Sequence, residues 1–401
     1  MPHTTLHHEL RLHDAASQID ASAWDALLTR QSHPTPFMRH AYLAALESSG
    51  SATTRTGWAA RYFTLWRGTQ LRAACALYVK AHSYGEYVFD WAWADAHERH
   101  GLPYYPKAVV TVPFTPVPGS RLLACDEEAR AALLRALIDW ADTAGLSSLH
   151  LLFAADDDLA AARAAGLMLR QQVQFHWHNR HPAGAAQFAD FDDFLASLSQ
   201  DKRKKIRQER RRVHQAGVGF RILRGRDITN ADWDFFYRCY QRTYQEHGNP
   251  PYLTRAFFAL MQAHMPDAWV LFVAERAGRP IATSLIAVGA YQESAEGEDQ
   301  SKPIAYGRYW GALERVDCLH FEACYYQPIA WCIAHGVQRF EGGAQGEHKM
   351  ARALLPVQAA SAHWLAHPAF AQAVDRFLAR EGEGVADYLQ DLHMRSPFRR
   401  A

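Results

Sequence analysis

Apolar residues recur along this chain in two periods, one near 3.6 and one near 2, and the order of those periods repeats. A helix is expected around Ala23 to Leu28 and another from Phe37 to Glu47, where Phe37, Leu43 and Leu46 return at helical spacing before Gly50 ends the run. Two strand-like runs follow, Trp58 to Trp66 and Leu71 to Val79, across the turn Arg67-Gly-Thr-Gln, which reads as a hairpin. An aromatic strand is expected over Tyr87 to Ala94. Asp126 then precedes a helix with Leu133, Leu137 and Trp140 on one face and Gly145 behind it. Leu149 to Phe153 reads as a strand, Asp157 to Ala165 as a helix and Gln172 to Trp177 as a strand.

The second half runs through the same order. Thr229 or Asn230 caps a helix whose Trp233, Phe236, Tyr237, Tyr240 and Tyr244 share a face, and Gly248-Asn-Pro-Pro stops it. Thr254 caps the next helix, and Trp269 to Ala274 pairs with Ile281 to Val288 across Arg276-Ala-Gly-Arg-Pro. An aromatic strand over Tyr306 to Ala312, a helix from Phe321 to Ala334, a strand at Val337 to Glu341 and a long C-terminal helix through Val374 to Leu378 complete the series. Repeated element order is the mark of a duplicated domain. The expected fold is therefore α/β, with α+β mixed sheets in two tandem domains at residues 1–183 and 219–401, and residues 184–218 as a linker and basic helix. The stretches near 20–180 and 190–395 should superpose.

Composition supports two cores: 401 residues, 49% of them hydrophobic, exceed what one core of roughly 250 to 300 residues organises. Lys+Arg at 43 nearly cancels Asp+Glu at 42, so no global field draws nucleic acid or an anionic membrane, and any such attraction is local. The six cysteines form no CxxC pair and fall mostly within apolar runs, as reduced thiols of a cytoplasmic protein do. No apolar run of a signal peptide opens the chain and no segment has the length of a membrane span, so a cytoplasmic location is expected. Glu293 to Ser301 reads as an exposed loop.

Local charge is concentrated in Lys202 to Arg212, where eight cations accompany one Glu and leave a narrow stripe for Ile206 and Val213. Such a helix is either a solvated connector or a phosphate-binding rod built from Lys204, Lys205, Arg207 and Arg211. RNA, a nucleotide-linked or CoA substrate and an anionic membrane surface, reached by peripheral contact, all fit that rod. Near-neutral total charge argues against a large RNA footprint. A second concentration, Phe340-Glu-Gly-Gly-Ala-Gln-Gly-Glu-His-Lys, follows a strand and opens a helix, so its backbone N–H groups suit an anion or a developing oxyanion. His97-x-x-His100 and His176-x-His178 have metal-compatible spacings but no third ligand nearby, and no metal is expected.

Tyr84-Gly-Glu-Tyr-Val-Phe-Asp-Trp-Ala-Trp-Ala-Asp, Val112-Pro-Phe-Thr-Pro-Val-Pro-Gly, the Asp201-to-Arg212 run, Tyr306-Gly-Arg-Tyr-Trp-Gly, Phe321-Glu-Ala-Cys-Tyr-Tyr-Gln and the glycine loop together resemble the FemAB-like family of predicted N-acyltransferases. The resemblance covers nearly the whole chain. It implies two GNAT-like domains, with amide formation on an amine-bearing small molecule or peptide in the cleft between them and the active site in the second. It also implies acyl-CoA or aminoacyl-tRNA as donor, since the cross-bridge relatives take amino acids from tRNA. The glycine loop departs from the Arg/Gln-x-x-Gly-x-Gly pyrophosphate loop of ordinary GNAT enzymes, which counts against acetyl-CoA. For the chemistry such a reaction needs, Glu341 and Glu322 are the candidate bases and Tyr325 and Tyr326 the candidate acids. Asp90, Trp91, Tyr309, Gly343, Gln345, Gly346, His348, Lys349 and Arg352 are the candidate substrate contacts. For either Glu taken alone, a structural ion pair, with Arg308 or Arg339 for example, is the favoured reading; their joint presence at adjacent strand and helix ends is what points to catalysis. The competing class is a non-catalytic module that recognises a peptidoglycan precursor or another polyanion.

Overall fold

The computed structural model describes residues 8–182, 184, 186–292, 301–344 and 346–399. Its chain divides into two compact units, Met1–Gln172 with Gln358–Asp387, and Val173–Val357 with Tyr388–Ala401. Neither unit is a contiguous half. The cause is an exchange of strands: each unit includes a strand supplied by the other half of the sequence.

In the first unit, β1 (Glu9–His13) pairs with β2 (Trp58–Arg67), which forms a hairpin with β3 (Gln70–Lys80). Then β4 (Lys107–Val110) lies antiparallel to β3 and parallel to β6 (Ser148–Leu151), while β5 (Leu123–Ala124) adds a short pairing to β3. The late strand β13 (Leu355–Leu365) closes this sheet against β6 through residues 362–365. Helices α1 (Ala21–Thr29), α2 (His40–Ser48), α4 (Glu127–Thr143) and α5 (Asp156–Ala164) accompany it. Asp126 caps α4 by accepting from the Ala129 N–H at 2.8 Å, and Leu133, Leu134 and Leu137 are buried with Phe63, Leu77 and Leu149.

The aromatic strand expected over Tyr87 to Ala94 is not there: the chain enters helix α3 (Trp91–Arg99) directly after Asp90. Trp93 and His97 bury at i and i+4, a helical spacing that outweighs the strand preference of tryptophan. Trp93 packs with Tyr104, Leu365, Val374 and Leu378, the last two from the long helix α12 (Pro368–Met394).

The second unit has the same strand order. Edge strand β8 (Val218–Arg224) pairs with β9 (Trp269–Arg276), which forms a hairpin with β10 (Arg279–Gln292), and β11 (Ser301–Ala312) follows antiparallel. Next, β12 (Arg339–Ala344) runs parallel to β11 and is closed by β7 (Met168–His178), a strand from the first half of the sequence. So β1, β2, β3, β4, β6, β13 correspond in order and direction to β8, β9, β10, β11, β12, β7. Helices α6 (Phe191–Ser197), α7 (Gln200–Gln215), α8 (Asn230–Glu246), α9 (Arg255–His264), α10 (Leu319–Phe321) and α11 (Gln327–Ala334) belong here. Thr229 caps α8 reciprocally with Asp232, whose carboxylate accepts from the Thr229 N–H at 3.0 Å.

The segment 184–218 does more than connect. Phe188, Phe194, Leu195, Leu198 and Ile206 are buried in this unit's core with Phe175, Trp177, Tyr326 and Phe340. Glu293 to Gln300, most of the expected acidic loop, fall outside the described residues. Among the described residues no helix is long and apolar enough to cross a membrane.

Candidate active site in the second unit

The parallel ladder between β11 and β12 is short. Ile304, Ala305 and Tyr306 register with Arg339, Phe340 and Glu341, after which the two strands part. Parting of parallel strands at their C-terminal ends opens the crevice that α/β proteins use for ligands. Glu341 stands at that point.

Its two oxygens are treated differently. Oε1 accepts from Arg339 Nε at 3.0 Å and Nη2 at 2.8 Å, while Oε2 is buried without a hydrogen-bond partner, 3.8 Å from His176 Nε2. Burial pushes the Glu341 carboxyl upward against the pull of Arg339, and burial holds the His176 imidazole well below its usual range. A buried carboxylate with a free oxygen and a raised pKa is chemically suited to take a proton.

Beyond Glu341 the backbone turns on glycines. A Cβ at Gly342 would meet Leu354 Cδ2 at 2.3 Å and the Phe175 carbonyl at 3.1 Å, so no larger residue fits. Gly343 and Gly346 take φ of +74° and +96°. The helix expected after this turn is a single 3-10 segment, Glu347–Arg352. Its Lys349 reaches back, Nζ donating to the carbonyls of Gly342 at 2.7 Å and Gly343 at 3.2 Å, so the lysine clasps the loop it belongs to. Burial lowers the Lys349 ammonium to about 8.

That shift has a stability consequence. The folded chain holds this proton less tightly than the unfolded chain, whose lysine titrates near 10.5, so the Lys349 contribution to stability rises from about pH 8 to 10.5. Urea unfolding across that window should show the parent gaining on Lys349→Met as pH increases; a constant gap would mean the ammonium is not desolvated.

A second layer comes from the helix at residues 319–334. Its middle, Glu322–Tyr326, is a π-helical turn. Pro328 has no N–H for the Cys324 carbonyl, and the helix widens in the turn before it. Tyr325 Oη lies 3.2 Å from His348 Nε2, and both rings neighbour Phe321. The Tyr325 hydroxyl is raised by burial and His320 is lowered by burial to about 4. Tyr326 is engaged elsewhere: its hydroxyl donates to Glu209, which also accepts from Arg352 Nη2 at 2.8 Å and 3.0 Å. Arg352 stacks its guanidinium 3.7 Å from the Phe321 ring centroid and donates to the His348 carbonyl at 2.8 Å. These bonds commit Tyr326 and Arg352 to holding the layer together.

Glu322 belongs to a different place. It accepts from Arg210 Nε at 3.2 Å and from Gln327 Nε2 at 2.7 Å, and it lines a cavity of about 500 Å³ with Arg207, Arg210, Arg211, His214 and Phe220. The two glutamates share no hydrogen-bond partner. Of the four cations expected to bind phosphate, Arg207 and Arg211 line this cavity, while Lys204 and Lys205 are exposed outside its lining. Ile206, Glu209 and Val213 form the buried stripe of α7, which is why a glutamate sits in a row of cations.

Tyr309, on β11, packs edge-on to Tyr240 at 5.2 Å, with Arg308 Nη2 donating to its hydroxyl at 2.9 Å. Gln345 lies outside the described residues. Asp90 and Trp91 are in the first unit. Asp90 Oδ2 accepts from the buried Lys107 and from Tyr104 Oη at 2.6 Å, Oδ1 has no partner, and Trp91 stands exposed with its ring 5.3 Å from Tyr84. Burial works to raise the Asp90 carboxyl, but Lys107 and Tyr104 bring it below its usual range. Sequence reasoning missed Glu209, Arg210, Gln327 and the placement of His176 beside Glu341; the His176-x-His178 spacing marked the residue without its position.

A family model described as peptidoglycan biosynthesis/recognition, FemAB-like, matches residues 15–400. The chain is similar in structure to FemX, at 11% identity over 92% of this chain and 100% of FemX, with a TM-score of 0.54. It is similar to L-PGS from Bacillus licheniformis, at 10% identity over 90% of this chain and 97% of that one, with a TM-score of 0.53. The C-terminal domain of a putative lysylphosphatidylglycerol synthetase from Agrobacterium fabrum is alike at 11% identity over 91% and 97%, with a TM-score of 0.51. At such identities the likeness is one of fold. No curated protein matches.

Proposed function

The chain belongs to the FemAB-like family, and from that premise we propose that it is an N-acyltransferase, moving an acyl or aminoacyl group from an ester or thioester donor to an amine. The single observation that carries this reading is Glu341 at the parting of β11 and β12, buried, with one carboxylate oxygen unpartnered. An acceptor reaching that crevice as an ammonium gives its proton to Glu341, and the freed amine attacks the donor carbonyl. The tetrahedral oxyanion is met by the Lys349 ammonium and the backbone of the glycine loop. That attack forms the C–N bond; collapse of the tetrahedral intermediate then breaks the donor's C–O or C–S bond, Tyr325 gives its hydroxyl proton to the leaving oxygen or sulfur, and the second proton shed by the nitrogen restores Tyr325. His348 positions Tyr325.

The test is direct. Purified protein incubated with isotopically labelled aminoacyl-tRNA or acyl-CoA and amine-bearing peptides should yield a product heavier by the acyl group and resistant to hydroxylamine, as an amide is. The Arg207 and Arg211 cavity favours the second reading, a recognition module; binding of acceptors with no transfer from either donor class would establish it in place of the enzyme.

A further inference from the structure

Strand β8 is the outer strand of its sheet: it pairs with β9 on one side, and Gly219, Arg221, Ile222 and Arg224 are solvent-exposed. A seven-residue strand with an open side presents alternate backbone N–H and C=O groups to whatever lies beside it. Proteins usually blunt such an edge with lysine, proline or a bulge. No lysine, proline or bulge interrupts β8, whose sequence is Val-Gly-Phe-Arg-Ile-Leu-Arg and whose register with β9 runs unbroken from Val218 to Arg224; its only charged residues are Arg221 and Arg224.

Midway along this edge Arg221 is paired with Asp232 and Glu275, and at the far end Arg224 lies over the Trp331 ring; a denser group of cations gathers at the Val218 end. The cavity holding Glu322 is bounded on the sheet side by Val218, Gly219 and Phe220, the first residues of β8, and on the helix side by Arg207, Arg211 and His214. Among the described residues these three side chains have no ion pair or hydrogen bond. A second cavity, about 570 Å³, meets the same end from the other flank of α7, lined by Arg212, Arg315 and Arg276, the residue in register with Val218. The acids present do not cancel this. Glu322 is neutralised by Arg210, Glu314 pairs with Arg276, and Asp192 and Asp317 are outnumbered.

We propose that β8 is a docking edge for an extended peptide that adds antiparallel to it, with its C-terminal carboxylate held by Arg207, Arg211 and His214. Direction follows from topology: an antiparallel partner of a strand running from Val218 to Arg224 must end where β8 begins, which is where Arg207, Arg211 and His214 line the cavity. A parallel partner would bring its ammonium terminus there instead. Main-chain pairing supplies affinity without demanding particular side chains, and the arginine fork supplies the terminus. In the strand order β8 lies four places from β12, which carries Glu341, so the edge is a docking surface apart from that site and is measurable without turnover.

The probe is a fluorophore-labelled Val-Thr-Val-Ala with a free C-terminus, titrated by anisotropy against the full chain. Amidating the C-terminus should weaken binding by roughly tenfold or more, the scale of a charge-assisted bond. Arg207→Gln with Arg211→Gln, both exposed positions, should bring the acid down to the level of the amide. N-methylation at one alternate set of amides should abolish binding while the other set is tolerated. The proposal is overturned if acid and amide bind alike, if both N-methylated peptides bind equally, or if the arginine pair governs binding of inorganic phosphate or a nucleoside diphosphate while the peptide shows none. Transfer activity with loss of this pattern would refute the docking edge and leave the acyltransferase standing.

Discussion

Glu341→Gln is expected to slow amide formation by roughly a hundredfold or more, the ordinary worth of a general base, with little loss of fold. Glutamine keeps the shape of the side chain and leaves Arg339 a carbonyl acceptor, so the Arg339 contact at 2.8 Å is weakened without being abolished. What disappears is the free carboxylate oxygen beside the parting strands. The comparison is single-turnover transfer by parent and variant at one pH, with folded state checked by circular dichroism. Parent-like turnover would make Glu341 structural and move the base to Glu322, whose own pairing with Arg210 and Gln327 is then the first obstacle to explain.

A second large effect is expected in stability. Arg352→Met leaves Glu209 charged and almost fully buried, with Tyr326 Oη as its remaining donor. Removing one partner of a buried ion pair costs about 3 to 5 kcal/mol, because the other charge has no solvent to return to. Glu209→Leu combined with Arg352→Met should recover most of that loss, since no orphaned charge remains. Urea unfolding of the two variants decides it: a single-variant loss below about 1 kcal/mol would mean water already reaches the pair.

These two residues also show where the sequence was legible and where it was not. Asp126 and Thr229 announced their helices because a cap and its N–H partner are three residues apart, and the two hairpins announced themselves through Gly68 and the turn before Pro280. Strand order was recoverable as a repeat because each sheet is built mostly from neighbours in sequence. The closing strands were not. β13 and β7 each serve a sheet whose other strands lie in the opposite half of the chain, and nothing local marks an exchange. The same limit governs the site. Glu341, Tyr325, His348 and Lys349 stood out because glycines and polar residues between apolar runs are poor core material. Glu209 and Arg210 looked like two members of a charged helix, because their partners Arg352 and Glu322 lie 143 and 112 positions away. Asp90 failed differently: aromatic residues read as strand there, and only burial of Trp93 with His97 shows the helix.

The pH dependence of single-turnover amide formation tests the assignment of Glu341 most directly. Its carboxyl is raised by burial, and proton removal from the acceptor needs it ionised, so the parent rate should fall with decreasing pH along a limb above the usual carboxylate range. Glu341→Gln should lose that limb along with the rate. An identical limb in parent and variant would contradict the account and place the base elsewhere.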